Sequence, residues 1–390
     1  MSTSANASRQ RVVQTLNHRE PDRIPFDLGS SIETGITVQA YDRFIELMNL
    51  KEEPDDTLFN SMIDAGGFKQ IPENVLRALK VDTRGTLIQP LMEGARIEFE
   101  GDTLVIHDEW GVKWAKPQSS LYMDPIDHPL KGELTRERLK NFPWPDPAHP
   151  ERFAGIHNEA RRLRDTGCAV MFSLYGLGIF EIAWMLHGLE ATLMDMALNP
   201  PLMEELFDRI ADSQMLLWQN TLETVGENVD VCLHSEDLGT QRSPIMSPQM
   251  YRTFLKPRHA RLFAHIKKVA KNDVKLLMHS CGSVRDLLPD LIEAGIDALN
   301  PIQVSATGMD TRELKKEFGK DLCFWGGGVD TQEILPHGST SQVRDEVKRR
   351  IDDLAPGGGF VFAAVHNIQP DVPPENIRTM WETFQEYCAY

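Results

Sequence analysis

The chain has 390 residues, 41% hydrophobic and 25% charged, with a formal net charge of −17 at pH 7. That length suits one large domain that buries a core unaided, and the acidic balance repels phosphates, so neither nucleic acid nor an anionic membrane is an expected partner. Five scattered cysteines (Cys168, Cys232, Cys281, Cys323, Cys388) make no disulfide framework, and neither an apolar signal core nor a run of about 18 apolar residues occurs, so a cytoplasmic protein is expected.

Short β-rich runs alternate with long amphipathic segments, the grammar of βα units. In chain order the runs are Arg23–Leu28, Thr86–Gln89, Ala169–Leu174, Val229–Leu233, Lys275–Met278, Ala298–Pro301, Leu322–Trp325 and Phe360–Ala363. Helical periodicity fills Leu189–Ala197, Pro201–Val225, Ser247–Val269, Val284–Ala294, Thr311–Phe318 and Ser341–Leu354, and Pro374–Tyr387 closes the chain. Eight runs with helices after most of them predict an α/β fold, a single (β/α)8 TIM barrel over 1–390 with an N-terminal extension. The surplus lies between the second and third runs. A hairpin over Gly101–Lys116 and a Pro-rich connector over Asn141–Pro147 mark an insertion, roughly residues 95–150, expected to cover part of the barrel mouth.

Barrel chemistry gathers where strands end. There the sequence places His279-Ser280-Cys281-Gly282, whose imidazole and thiol share one side of an extended backbone and can converge on one soft ion. His366 follows the eighth run at the matching height as a third ligand, and a fourth position falls to Glu236, water or substrate. Cys323, a rival third thiol, opens an apolar run and reads as a core cysteine. Glu236 and Asp237 follow the fourth run; crowded carboxyls there serve as general acids, as metal ligands or as a loop-ordering pair. Tyr175, Phe180, Trp184 and Trp325 are candidates to sandwich a ring, and Asn300, Gln303 and Asn367 are candidate polar anchors.

Several stretches resemble the uroporphyrinogen decarboxylase superfamily: Glu20-Pro21-Asp22-Arg23-Ile24-Pro25 after the first helix, the segment following His-Ser-Cys-Gly, Phe324 to Thr331, and His366-Asn367-Ile368-Gln369-Pro370 through Ile377. The resemblance implies a (β/α)8 barrel. Decarboxylases of the superfamily carry an arginine-rich loop after the first strand, whereas Phe26 to Ile32 contains no arginine. The cobalamin-dependent methyltransferase branch carries a His-x-Cys zinc motif and a third ligand, commonly cysteine, before Ile-x-Pro-x-x-Pro-x-Glu-Asn. His279 and Cys281 match it, and His366 stands at the place of that cysteine. A site with fewer sulfurs points toward polarising a leaving oxygen rather than activating a thiol.

The resemblance therefore implies an O-demethylase-like methyltransferase that uses zinc and moves a methyl group from a small methylated substrate, such as a methoxylated aromatic, to Co(I). No Asp-x-His-x-x-Gly corrinoid motif occurs, so the corrinoid (cobalamin) is expected on a separate protein. A homodimer is a further expectation, since barrels of this family commonly dimerise. Two other readings stand beside it. One is a decarboxylase-like lyase using Arg23, Arg84, Arg242 or Arg285, and the other is a non-catalytic small-molecule-binding barrel.

Overall fold

The structure, a computed structural model, describes residues 7–54, 67–92, 95–174 and 178–390; Tyr175 lies outside them. Its strands in chain order are β1 (Thr83–Leu87), β2 (Arg96–Glu100), β3 (Thr103–His107), β4 (Lys113–Pro117), β5 (Asp124–Asp127), β6 (Ala169–Ser173), β7 (Val231–Ser235), β8 (Lys275–His279), β9 (Ala298–Asn300), β10 (Cys323–Trp325) and β11 (Phe360–Val361). Seven of them form a parallel sheet in the order β1-β6-β7-β8-β9-β10-β11. The sheet curls until its edges meet at Phe26, which pairs in parallel with Phe362 and whose carbonyl accepts from the Asp82 N–H at 2.8 Å. The α/β barrel read from the sequence is the architecture observed.

Three expected strands differ in detail. The Arg23–Leu28 run contributes isolated bridges rather than a full ladder, Phe26 to Phe362 in the barrel and Arg23 to Ala389 near the C-terminus. The second run pairs over Thr83–Leu87, beginning at polar residues that apolar patterning passes over. Thr83 is buried because its hydroxyl donates to Asp27 at 2.6 Å. The fourth run extends two residues beyond Leu233, since β7 stays in register with β8 as far as Ser235 opposite His279. The helical pattern Ser247–Val269 divides into Pro248–Phe254 and Lys256–Val269. Pro257, in the first turn of the second helix, supplies no N–H to continue the first.

Two apolar layers hold the ring. Inward positions on alternating strand residues (Met171, Val231, Leu233, Leu277, Ala298, Trp325, Val361) fill the barrel. Val12 and Leu16, from the N-terminal helix Ala7–Thr15 and the turn after it, join them. Arg11 ties that helix to the barrel through Asp82 at 2.6 Å. A larger layer, with Phe207, Trp218 and Phe263 fully buried, lies between sheet and helices. The insertion forms an antiparallel sheet, β2-β3-β4-β5, with β3 and β4 as the expected hairpin. Among the described residues no helix is long and apolar enough to cross a membrane.

Candidate metal centre at the barrel mouth

β8 ends at His279, and the backbone beyond it is held so tightly that Cys281 has little freedom. The Ser280 N–H donates to the Asn300 carbonyl (2.7 Å), the Cys281 N–H to Asp237 Oδ1 (2.7 Å), and the Gly282 N–H to Gln303 Oε1 (2.6 Å). Gly282, at φ +86°, lies backbone to backbone against Gly239, and a Cβ there would come within 2.5 Å of Gly239. The His-Ser-Cys-Gly and Glu-Asp-Leu-Gly motifs thus lock each other.

His279 Nε2 lies 3.4 Å from Cys281 Sγ, and the ligand atoms of His279, Cys281 and His366 all lie within 4.8 Å of one another. Asn300 fixes the tautomer of His279. Its Nδ2 donates to the Trp325 carbonyl (3.0 Å), which turns Oδ1 toward His279 Nδ1 (2.6 Å). Nδ1 therefore carries the proton and Nε2 is free as a ligand. Burial, with His279 close by, lowers the His366 pKa and favours a neutral ring. The Tyr122 hydroxyl reaches His366 Nδ1 at 3.4 Å and Asn367 Oδ1 at 3.3 Å. Burial also pushes the Cys281 thiol well up, reinforced by Asp237 and Glu181. Two imidazoles and one thiol, backed by hydrogen-bonded amides, fit a zinc ion that keeps an open position.

The remaining candidates fall elsewhere. Glu236 does not join this trio. It is fully buried, with Oε2 2.9 Å from His259 Nε2 and Oε1 accepting the Glu181 N–H at 2.9 Å. Burial alone would raise its carboxyl, but the His234 and His259 imidazoles outweigh that and hold it down at about 2. An acid so fixed in its ionised form is unsuited to proton donation, so the expectation for Glu236 is corrected. Asp237, whose side chain is 42% exposed and lies 3.8 Å from His279 Nε2, is the carboxylate facing the mouth. Asn300, Gln303 and Asn367 are all buried and spend their amides on the centre's scaffold; Gln303 also donates to Gln241 at 3.0 Å.

The aromatic sandwich is not built as expected. Phe180 and Trp325 have no exposed surface, and the Trp325 N–H is committed to Asp27 at 2.7 Å. Trp184 packs against the outer core. Cys323 Sγ lies 3.7 Å from the Thr15 carbonyl of the N-terminal helix, away from His279.

The sequence reading passed over the ring-sized space. A cavity of about 350 Å³ lies between the insertion sheet and the barrel, with Trp110, Trp114, Met185, Leu186, Tyr122 and Ser235 in its wall. Two wall residues connect the cavity to the trio: Ser235 stands in register with His279, and the Tyr122 hydroxyl meets His366. The Trp110 indole N–H and the Ser173 hydroxyl, both in the wall, are buried without hydrogen-bond partners. Asp108 in the same wall accepts from Trp114 Nε1 at 2.8 Å, and burial raises its carboxyl. Glu181 was also missed. Its carboxyl is buried and pushed well up, by burial first and then by Asp237 and Glu236. The only signal for it was Gly178 followed three residues later by Glu, a helix-capping pattern.

With this geometry in hand, the chain can be placed. The uroporphyrinogen decarboxylase (URO-D) family model matches residues 124–387, more than half of the chain. The chain belongs to the uroporphyrinogen decarboxylase family. Curated relatives are similar over shorter stretches. The methylcobamide:CoM methyltransferase MtaA of Methanosarcina barkeri is 30% identical over 149 residues, 37% of this chain and 39% of that one. The uroporphyrinogen decarboxylase of Thermus thermophilus is 29% identical over 150 residues, with the same coverage. The chain thus spans about two fifths of the length of these relatives (39%). A solved methyltransferase from Methanosarcina mazei shares the fold along nearly all of both chains (97% and 98%), with a TM-score of 0.65 at 16% identity.

Proposed function

We propose that this family member is a zinc-assisted methyltransferase, taking a methyl group from a small methoxylated aromatic and delivering it to the Co(I) of a corrinoid on a separate protein. The observation that carries the reading is the convergence of His279, Cys281 and His366 next to Tyr122 and Ser235, two residues in the wall of a cavity of about 350 Å³ that is largely apolar. Zinc held there would neutralise the negative charge that grows on the leaving oxygen as its bond to methyl breaks.

The chain's own part is positioning and exclusion. Asn300 aims His279, Tyr122 supports His366, and the Asp237 carboxylate anchors the Cys281 backbone. Indole and thioether walls bind a ring and keep water away, while Ser173 and Trp110 offer hydrogen bonds to ring substituents. Ile97, Phe99 and Ile126 of the insertion sheet are exposed apolar side chains and offer a surface for the corrinoid-bearing partner.

A decarboxylase reading needs cations for carboxylates. None of Arg23, Arg84, Arg242 and Arg285 is among the described residues of the cavity wall, and Arg23, Arg84 and Arg285 pair with Asp82, Glu73 and Glu317. The test is anaerobic methyl transfer to Co(I) corrinoid, screened over methoxyarenes, methanol, methylamines and methyl thioethers. Turnover of a methoxyarene, lost in Cys281→Ser, is expected; no turnover of any donor with the cognate corrinoid protein ends the reading.

A further inference from the structure

A second cluster lies on the other side of the same sheet. At the end of β7 and just past it stand His234-Ser235-Glu236, with the same one-residue spacing as His279-Ser280-Cys281 at the end of β8 on the neighbouring strand. Ser235 lines the cavity, whereas His234 and Glu236 turn outward, beneath the helix Lys256–Val269, which contributes His259. The ligand atoms of His234, Glu236 and His259 lie within 4.8 Å of one another, and all three residues are buried. Glu236 Oε2 is 2.9 Å from His259 Nε2 and 3.7 Å from His234 Nε2. Those separations bracket the roughly 3.4 Å between neighbouring ligand atoms around a tetrahedral ion with bonds of about 2.1 Å.

We propose that His234, Glu236 and His259 form a second, buried site for a divalent first-row metal, structural in role and independent of the methyl-transfer reading. A simple ion pair accounts for Glu236 and His259 only. It leaves His234 Nε2, in a ring 4% exposed, aimed at the same carboxylate oxygen with no hydrogen-bond partner. Buried polar atoms in folded chains are almost always satisfied, and one cation satisfies all three lone pairs at once. The surroundings are those of a metal site. The Tyr251 hydroxyl meets His259 Nδ1 at 3.0 Å and orients that ring, as an outer-shell partner does. Phe263 stacks on His259 at 5.5 Å and meets His234 edge-on at 5.3 Å, which supplies the apolar shell.

The local field also favours a cation. Glu236 brings a carboxylate, and the ion-pair partners it has among the described residues are His234 and His259, with no lysine or arginine beside it. A filled site would stiffen the mouth from behind, because the Glu236 N–H donates to the His279 carbonyl at 2.9 Å.

The test counts metal in the whole chain after growth with added zinc. Wild type is expected to carry two equivalents by elemental analysis, and His279→Ala/Cys281→Ser one. Adding His234→Gln to that double variant should remove the last equivalent. Cobalt(II) loaded into the double variant should show d–d bands without thiolate charge transfer. A folded double variant that holds no metal overturns the proposal. So does a wild-type protein with a single equivalent whose cobalt form is wholly thiolate-ligated, a measurement that stands even if the variants fail to fold.

Discussion

Replacing Asn300 by Leu tests the central geometric claim, that His279 is presented to a metal by its amide. The substitution removes the acceptor 2.6 Å from His279 Nδ1 and the donor 3.0 Å from the Trp325 carbonyl. Outer-shell partners of ligating histidines are worth about 10- to 100-fold in metal affinity, or about 1.4 to 2.8 kcal/mol. Separately, the Trp325 carbonyl becomes a buried unsatisfied acceptor, costing about 1–3 kcal/mol of stability. The two losses are measured apart, zinc affinity by chelator competition and stability by denaturant unfolding of the metal-free form. Asn300→Asp retains the acceptor and adds negative charge near the ion, so it should keep zinc while still losing the Trp325 bond. Zinc binding in Asn300→Leu as tight as in wild type would refute the reasoning, since His279 would then need no partner.

Other outcomes follow from the same geometry. The Cys281 thiol, pushed up by burial and by Asp237, must lose its proton to bind zinc, so affinity should rise about tenfold per pH unit below the thiol pKa. Calorimetry in buffers of different ionisation heat should report that proton, and a flat profile would mean the thiol is not a ligand. Glu236 sits at about 2 when folded against an ordinary value of 4.5, so its stabilisation is present above about 4.5 and is lost as pH falls toward 2. That shift is worth on the order of 3 kcal/mol for a fully buried group. Urea midpoints at pH 6 and pH 3, with chelator present, should therefore fall more steeply for wild type than for Glu236→Gln. Leu186→Trp, which fills the cavity wall, should raise KM for a methoxyarene several-fold while leaving zinc content unchanged; an unaltered KM would place the donor elsewhere.

The barrel was legible because its apolar runs and helical intervals repeat with the right periods, and the His-x-Cys pair because its convergence is local geometry. The misreadings concern what the third dimension decides. Apolar patterning ended the fourth run at Leu233, so His234-Ser235-Glu236 did not appear as a strand end paired with β8, although it has the same spacing as the motif beside it. Glu236 and Asp237 are adjacent in sequence and read as one pair with shared candidate roles. The strand turns them to opposite environments, one fully buried against His259 and one 42% exposed at the mouth. Phe180 and Trp325 looked like ring binders by residue type, yet the cavity wall is built from Trp110, Trp114 and Tyr122 of the insertion. No pattern near the barrel strands announces those three, because an insertion's aromatics acquire a ligand face only when its sheet folds over the mouth. Short-range spacing therefore brought out the His279 and Cys281 pair, and the place of His366 after the eighth run brought out the third member, whereas the neighbouring cavity left no mark in the sequence.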